Sequence, residues 1–404
     1  MTDRRDSGRP AVIVPAYARP GALRRLLASI ERAHYPGDGI KLIISLDSGA
    51  TDEVVAGARD FEFSSGSVEV IDRHEQLGLR EHILWCGDQS QQYGSVIVLE
   101  DDLVVDPWFY HYAVHALAAH EQQDEVAGVA LYAPRYNEFA GLPFEPLSNG
   151  TSGYRMQVPC SWGQAWTARQ WSAFKTWYER VDETTVDDCE SLPDTVRRWP
   201  ADSWKKYFAA YLAMAERYFV YPYVSYTTNC SDPGGVNTSR GTDELQVPLP
   251  DPNRPFVAPN FPAGDETGVT YDPFMEPQLQ IDFDALSLPA GSLCVDLYGS
   301  RPLDLVKKYD YCLTTRPVRA AIASYPLKYH PLPMNILTGE RDSTAGPISL
   351  CSKDQHYKRD PGLKRLRAKN RLRLYFLIGP TNGASLLLLG LIILLNRLRN
   401  LIRD

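Results

Sequence analysis

Four short runs rich in β-branched residues, AVIVPAY (11–17), KLIISLD (41–47), SVEVID (67–72) and SVIVLEDD (95–102), recur through the first hundred residues, and three of them end in acid. Helical signals fill the gaps. Arg19-Pro20-Gly21 opens a segment with Leu23, Leu26, Leu27 and Ile30 on one face, a second helix is predicted over 80–92, and Asp106-Pro107 supplies a cap and a first-turn proline for a third. Runs this apolar are buried on both faces, and alternation with helices predicts an α/β fold built on a mostly parallel, Rossmann-like sheet covered on both sides. Ligands of such sheets sit beyond the carboxyl ends of the strands, where Asp47, Asp72 and Glu100-Asp101-Asp102 fall.

The pattern loosens after residue 125. GVALYAP (128–134) reads as a further strand and the aromatic stretch 161–178 follows it; after Pro222 the chain is rich in Pro, Gly and Asp. This organisation suggests a domain over 1–240, a loop-rich extension or small mixed domain over 241–363, and a distinct tail over 364–404. The tail carries nine basic residues and one acid, +8, so a net charge of −8 leaves −16 on the remainder. An acidic body with a basic tail beside an apolar run points to a membrane surface and excludes nucleic acid as main partner. Residues 374–396 are uncharged, but Gly379-Pro380-Thr381-Asn382-Gly383 interrupts them. A monotopic or re-entrant anchor is therefore the leading expectation, with a true span or a self-associating helix as alternatives. The polar start MTDRRDSGRP lacks the apolar core of a secretory signal, and seven scattered cysteines form no Cys-x-x-Cys pair. Both features suggest free thiols and a cytoplasmic location at the inner face of a membrane, where the sequons at Asn149, Asn229 and Asn237 are chance matches.

Three consecutive acids are expected about once by chance at this composition. Their position is more informative: they directly follow Val96-Ile97-Val98-Leu99, where a buried strand leaves the core. Clustered carboxylates repel one another unless a cation is present, and oxygen ligands of this kind suit Mg²⁺ or Mn²⁺. Such an ion bridges the phosphates of a nucleoside diphosphate and offsets charge on it as it leaves.

The segment VIVLEDDLVVDPWF resembles the metal-binding element of GT-A-fold glycosyltransferases, in particular the N-acetylglucosaminyltransferase I-like enzymes and bacterial sugar transferases. VIVPAYARP, LGLREHI (77–83) and CSWGQAWTARQW (160–171) occur in the corresponding order. The resemblance covers about residues 10–240. It implies that Asp102 binds the metal, that Glu100 and Asp101 contact the donor sugar or ribose, and that Pro15, Ala16, Tyr17 and Arg19 lie along the nucleotide. Asp47 or Asp72 would hold the base or ribose, and Arg80 would face the diphosphate. It further implies transfer, with inversion, from a nucleotide-diphosphate sugar, UDP-linked by expectation, to a carbohydrate or lipid-linked hydroxyl in polysaccharide or glycolipid synthesis.

Inversion requires a carboxylate that takes the acceptor proton. Asp202, in the segment WPADSW, is the first choice, expected in a water-poor aromatic pocket; Asp187 and Asp188 are the alternatives. Trp162 and Trp166 are candidates for a sugar-stacking wall, and at Gln164 the chain departs from the aromatic residue of relatives. His111, His115 and His120 read as a solvated helix face. The Gly-rich stretch 228–241 could close over the donor. Two rival readings are a sugar nucleotidyltransferase, for which the loop after the first strand has too few glycines, and a catalytically silent, membrane-tethered carbohydrate-binding subunit.

Overall fold

The computed structural model describes residues 9–234, 245–261, 268–279, 288–289, 291–341 and 346–356. The expected alternation forms as β1 (Ala11–Ala16), α1 (Pro20–Glu31), β2 (Ile40–Leu46), α2 (Asp52–Arg59), β3 (Gly66–Asp72), α3 (Gly78–Asp88), β4 (Ser95–Val98), β5 (Leu103–Val105) and α4 (Phe109–His120). It continues through β6 (Val126–Ala130), β7 (Gly153–Met156), β8 (Gln164–Thr167), α5 (Ala168–Tyr178), α6 (Glu183–Asp187), α7 (Trp204–Met214), β9 (Tyr218–Pro222), β10 (Thr227–Asn229) and β11 (Thr270–Tyr271). Nine strands join one sheet in the order β11-β7-β9-β6-β8-β4-β1-β2-β3. The half formed by β4, β1, β2 and β3 is parallel throughout, whereas β8 runs antiparallel between β4 and β6. The sheet is therefore mixed α/β and mostly parallel.

Alternate strand residues feed two cores. Val12, Val14, Leu42, Ile44 and Ile97 pack with α1, through the predicted Leu23, Leu26, Leu27 and Ile30, and with α4. Ile13, Ile43, Val96 and Val98 face the opposite way and meet α3, α5 and α7 through Ile83, Trp171, Phe174 and Phe208. Residues buried on both sides explain why these runs lack polar alternation.

Three local expectations change. The strand predicted over 95–102 stops at Val98, so the acids occupy a turn before β5. The third helix opens at Phe109, not at Asp106-Pro107. Asp106 is wholly buried; it accepts from the Trp108 amide at 2.9 Å and pairs with both Arg254 terminal nitrogens at 2.8 and 3.0 Å, so its charge serves a long-range ion pair. The third concerns α4, whose histidines are a solvated face only in part: His115 is exposed and His111 half-buried, but His120 is buried. Phe256 lies against His111 and His115, and Phe261 meets His120, which is buried and bonded to Gln123 at 2.6 Å.

Those contacts come from residues beyond 240, where the chain does not leave the main body. Residues 245–261 run across α4, with Trp108 donating its indole N–H to the Arg254 carbonyl at 2.9 Å, and β11 then joins the large sheet. A second sheet begins only at β12 (Leu293–Asp296) and continues through β13 (Tyr311–Thr314), β14 (Ala323–Tyr325) and β15 (Ile348–Ser352), ordered β12-β13-β15-β14. Its small core holds Leu313, Tyr325, Ile348 and Leu350. Glu276 ties it to the main body by accepting the Leu297 and Tyr298 amides at 2.9 and 2.7 Å. All seven cysteines are free. The tail 364–404 lies outside the described residues, and among the described residues no helix is long and apolar enough to cross a membrane.

Candidate active site

The last parallel hydrogen bond beside β4, from the Leu99 amide to the Ile13 carbonyl at 2.9 Å, fixes where the strand hands over to the acidic turn. Beyond it, Asp101 and Asp102 meet Arg19, which projects from the loop between β1 and α1. The guanidinium pairs with Asp101 and reaches Asp102 Oδ2 at 3.0 Å. Asp102 Oδ1 accepts from the Asn229 amide at 3.2 Å, while its backbone carbonyl accepts from Cys230 at 2.9 Å. One guanidinium cannot balance three carboxylates. Burial, followed by the charges of Asp102 and Asp101, pushes Glu100 up to about 8, with Arg19 and Lys205 opposing. Burial pushes Asp101 up to about 6 against the opposing pull of Arg19.

These residues form the floor of a cavity of about 700 Å³. The lining includes Pro15, Ala16, Tyr17, Arg19 and Asp47. Asp47 accepts the amides of Ser48, Leu77 and Gly78 at 2.8 to 2.9 Å, so it anchors the start of α3. His82 lies alongside, bonded to Ser45 Oγ at 2.8 Å; burial first, then Arg73, push it down to about 4, which keeps the imidazole neutral near pH 7. Part of the wall is aromatic: Trp162, Trp199 and Trp204, with Tyr132 and Tyr136. The Lys205 ammonium lies 5.2 and 5.3 Å from the Trp162 and Trp199 ring centres, and 3.5 Å from Glu138. Asp202 lines the cavity from the 199–203 loop but is exposed, not in the water-poor pocket expected.

Five sequence-predicted residues lie elsewhere. Asp72 ends the edge strand β3 and pairs with Arg59 at 2.8 Å on the surface. Arg80 turns from the cavity to Glu81 and to the Ala201 carbonyl, at 3.0 and 2.8 Å. Trp166 is wholly buried against Trp171 and Phe208, and Gln164, two residues before it on β8, is also buried. Strand alternation sends Trp166 into the core while Trp162, in the preceding turn, reaches the cavity. Asp187, at the end of α6, pairs with buried Lys206 at 2.6 Å, and Asp188 follows it; neither lines the cavity.

His82, Glu138, Trp199 and Lys205 are cavity residues that the sequence did not single out, and Asn229 entered only as part of the stretch 228–241. Trp199 and Lys205 flank the predicted Asp202 and were legible by proximity. Asn229 was not: it reaches Asp102 only because β10 pairs antiparallel with β5, Asn229 opposite Leu103.

The donor set suits a hard divalent cation. Among the described residues no three ligating side chains cluster as a complete cage, but Mg²⁺-type ions are usually held by one or two carboxylates plus substrate phosphates. Asp102 and Asp101 supply that many, beside space for a diphosphate.

Residues 11–156, from β1 to the end of β7, match the family model described as Glycosyl transferase family 2. With the sheet described above, this makes the fold that of the GT-A glycosyltransferases, and the matched segment carries β1, Arg19, Asp47 and the whole acidic turn. Among solved structures, the chain is similar to Staphylococcus aureus TarS 1-349, at 14% identity over 55% of this chain and 60% of that one, with a TM-score of 0.37. It is also similar to the mannosyltransferase PcManGT of Pyrobaculum calidifontis, solved with GDP-Man and Mn²⁺, at 15% identity over 53% and 54% of the two chains, with a TM-score of 0.34. The chain thus spans less than two thirds of either. No curated protein matches it.

Proposed function

We propose that this protein is a metal-dependent, inverting glycosyltransferase that moves a hexosyl or N-acetylhexosaminyl unit from a nucleotide-diphosphate sugar, UDP-linked by preference, to a carbohydrate or lipid-linked hydroxyl. One observation carries the reading: a single cavity is lined by the Arg19–Asp101–Asp102 cluster, by Asp47, and by Asp202 with a group of tryptophans. Asp102, with Asp101, would hold Mn²⁺ or Mg²⁺, which when bound offsets charge on the departing diphosphate. Pro15, Ala16 and Tyr17 line the nucleotide, and Asp47 stands nearest its base or ribose. Arg19, in the same cluster, would face the phosphates. The acceptor sugar stacks on Trp162 and Trp199. Its hydroxyl oxygen attacks the anomeric carbon, the bond from that carbon to the phosphate oxygen breaks with its electron pair leaving on the diphosphate, and Asp202 takes the hydroxyl proton. Association with the inner face of a membrane through 364–404 belongs to the same proposal.

A thermal-shift screen of UDP-glucose, UDP-galactose, UDP-N-acetylglucosamine and GDP-mannose, each with and without Mn²⁺, tests the donor half. A donor that binds only the folded state raises the melting temperature by mass action, and that rise should require the metal. No shift with any donor, or pyrophosphate release from a nucleoside triphosphate instead, would overturn the proposal.

A further inference from the structure

Asp202 has no hydrogen-bond or ion-pair partner of its own among the described residues, so its place in the cavity depends on the backbone of loop 199–203. Two cations from different helices hold that backbone. Lys206, on α7, is only 2% exposed and donates to the Trp199 carbonyl at 2.9 Å, with Asp187 at 2.6 Å as counter-ion. Arg80, on α3, donates to the Ala201 carbonyl at 2.8 Å, its guanidinium 5.9 Å from the Tyr207 ring centre. Ala201 is the one residue of the loop that does not line the cavity. Both carbonyls thus turn outward toward the cations, while Trp199 and Asp202 face inward. The same first turn of α3 is fixed by Asp47, which accepts the Leu77 and Gly78 amides.

We infer that Arg80 is a positioning residue: it acts through the Ala201 carbonyl to hold Asp202 against the acceptor, from a helix turn that Asp47 fixes in place. The inference rests on the reading of Asp202 as the proton acceptor. Charge-assisted hydrogen bonds to a carbonyl are among the stronger ones available to a side chain, and misplacing a catalytic group by about 1 Å costs on the order of 100-fold in rate. Arg80 touches neither donor nor acceptor in this scheme, so its loss should fall on turnover and leave donor binding alone.

The experiment is a double-mutant cycle on the full chain, using the four nucleotide sugars above with Mn²⁺ and p-nitrophenyl glycosides as acceptors. R80M should lower kcat about 10-fold or more, with donor KM and the donor-induced thermal shift unchanged within about two-fold. R80K, which can still reach the Ala201 carbonyl, should recover part of the loss. In the D202N background R80M should cost nothing further, because a residue acting only through Asp202 has nothing left to position. If the R80M and D202N losses multiply, or R80M raises donor KM at unchanged kcat, Arg80 is a structural or donor-binding residue and the inference falls while Asp202 stands. Wild-type activity in D202N removes both.

Discussion

Asp187→Asn separates a structural acid from a catalytic one. Lys206 is buried, and Asp187 pairs with it at 2.6 Å; Glu183 is the next carboxylate, at 3.9 Å. Removing one partner of a fully buried pair costs about 3–5 kcal/mol. The Asp187 side chain is 45% exposed and Glu183 remains, so about half of that, roughly 2 kcal/mol, is the reasonable size here. Unfolding entropy of about 2.1 cal/mol/K per residue gives about 0.8 kcal/mol/K for 404 residues, so the melting temperature should fall by about 2–3 °C. Turnover should stay within about three-fold of wild type, because Lys206 keeps its bond to the Trp199 carbonyl. Asp202→Asn should do the reverse: no change in melting temperature, since the side chain is exposed and unpartnered, and a loss of about 100-fold or more in kcat. The assays are calorimetry and single-turnover transfer on the same preparations. Loss of turnover in D187N at an unchanged melting temperature would refute the reasoning, making Asp187 the proton acceptor instead of the counter-ion of Lys206.

Asp102→Ala should abolish Mn²⁺-dependent donor binding in the thermal-shift assay while the protein still unfolds cooperatively; full transfer activity would remove the metal assignment. Trp162→Ala should raise acceptor KM about 2- to 10-fold, the worth of one aromatic contact, whereas Trp166→Ala should cost about 3–5 kcal/mol in urea denaturation without a selective effect on acceptor KM. Glu100 is pushed up to about 8 in the folded protein. The fold therefore binds that proton more tightly than the unfolded chain, and metal-free stability should fall as pH rises from about 4.5 to 8. E100Q should flatten this decline, and parallel pH curves for the two proteins would show that Glu100 is not its source. Chain lacking residues 364–404 should fail to float with vesicles containing anionic lipid, while the full chain floats; equal behaviour would dissociate the tail from membrane binding.

The parallel half of the sheet was legible because three of its strands, β1, β2 and β4, are short and apolar on both faces, with helices of one apolar stripe between the strands; the edge strand β3 buries no residue. The acidic triplet was legible for a related reason: a buried strand must end somewhere, and charge immediately after Leu99 marks the place. Boundaries were less so. Asp106 looked like a helix cap because a cap is the local use of an aspartate before a proline, and only the arrival of Arg254, 148 residues later, shows its charge in use elsewhere. Trp162 and Trp166 are indistinguishable by type and four residues apart; the turn before β8 gives one to the cavity and β8 itself gives the other to the core.

By itself, then, the sequence determined the α/β class, the run of carboxylates at the sheet rim and the stretch around Asp202, since each depends on residue types close together in the chain. Tertiary structure alone decided which acid faces the cavity and which balances a buried lysine, that Arg80 serves loop 199–203, and that Asn229 buttresses Asp102. Those outcomes depend on which helices and strands are brought side by side, and local pattern carries no record of the partner across the fold.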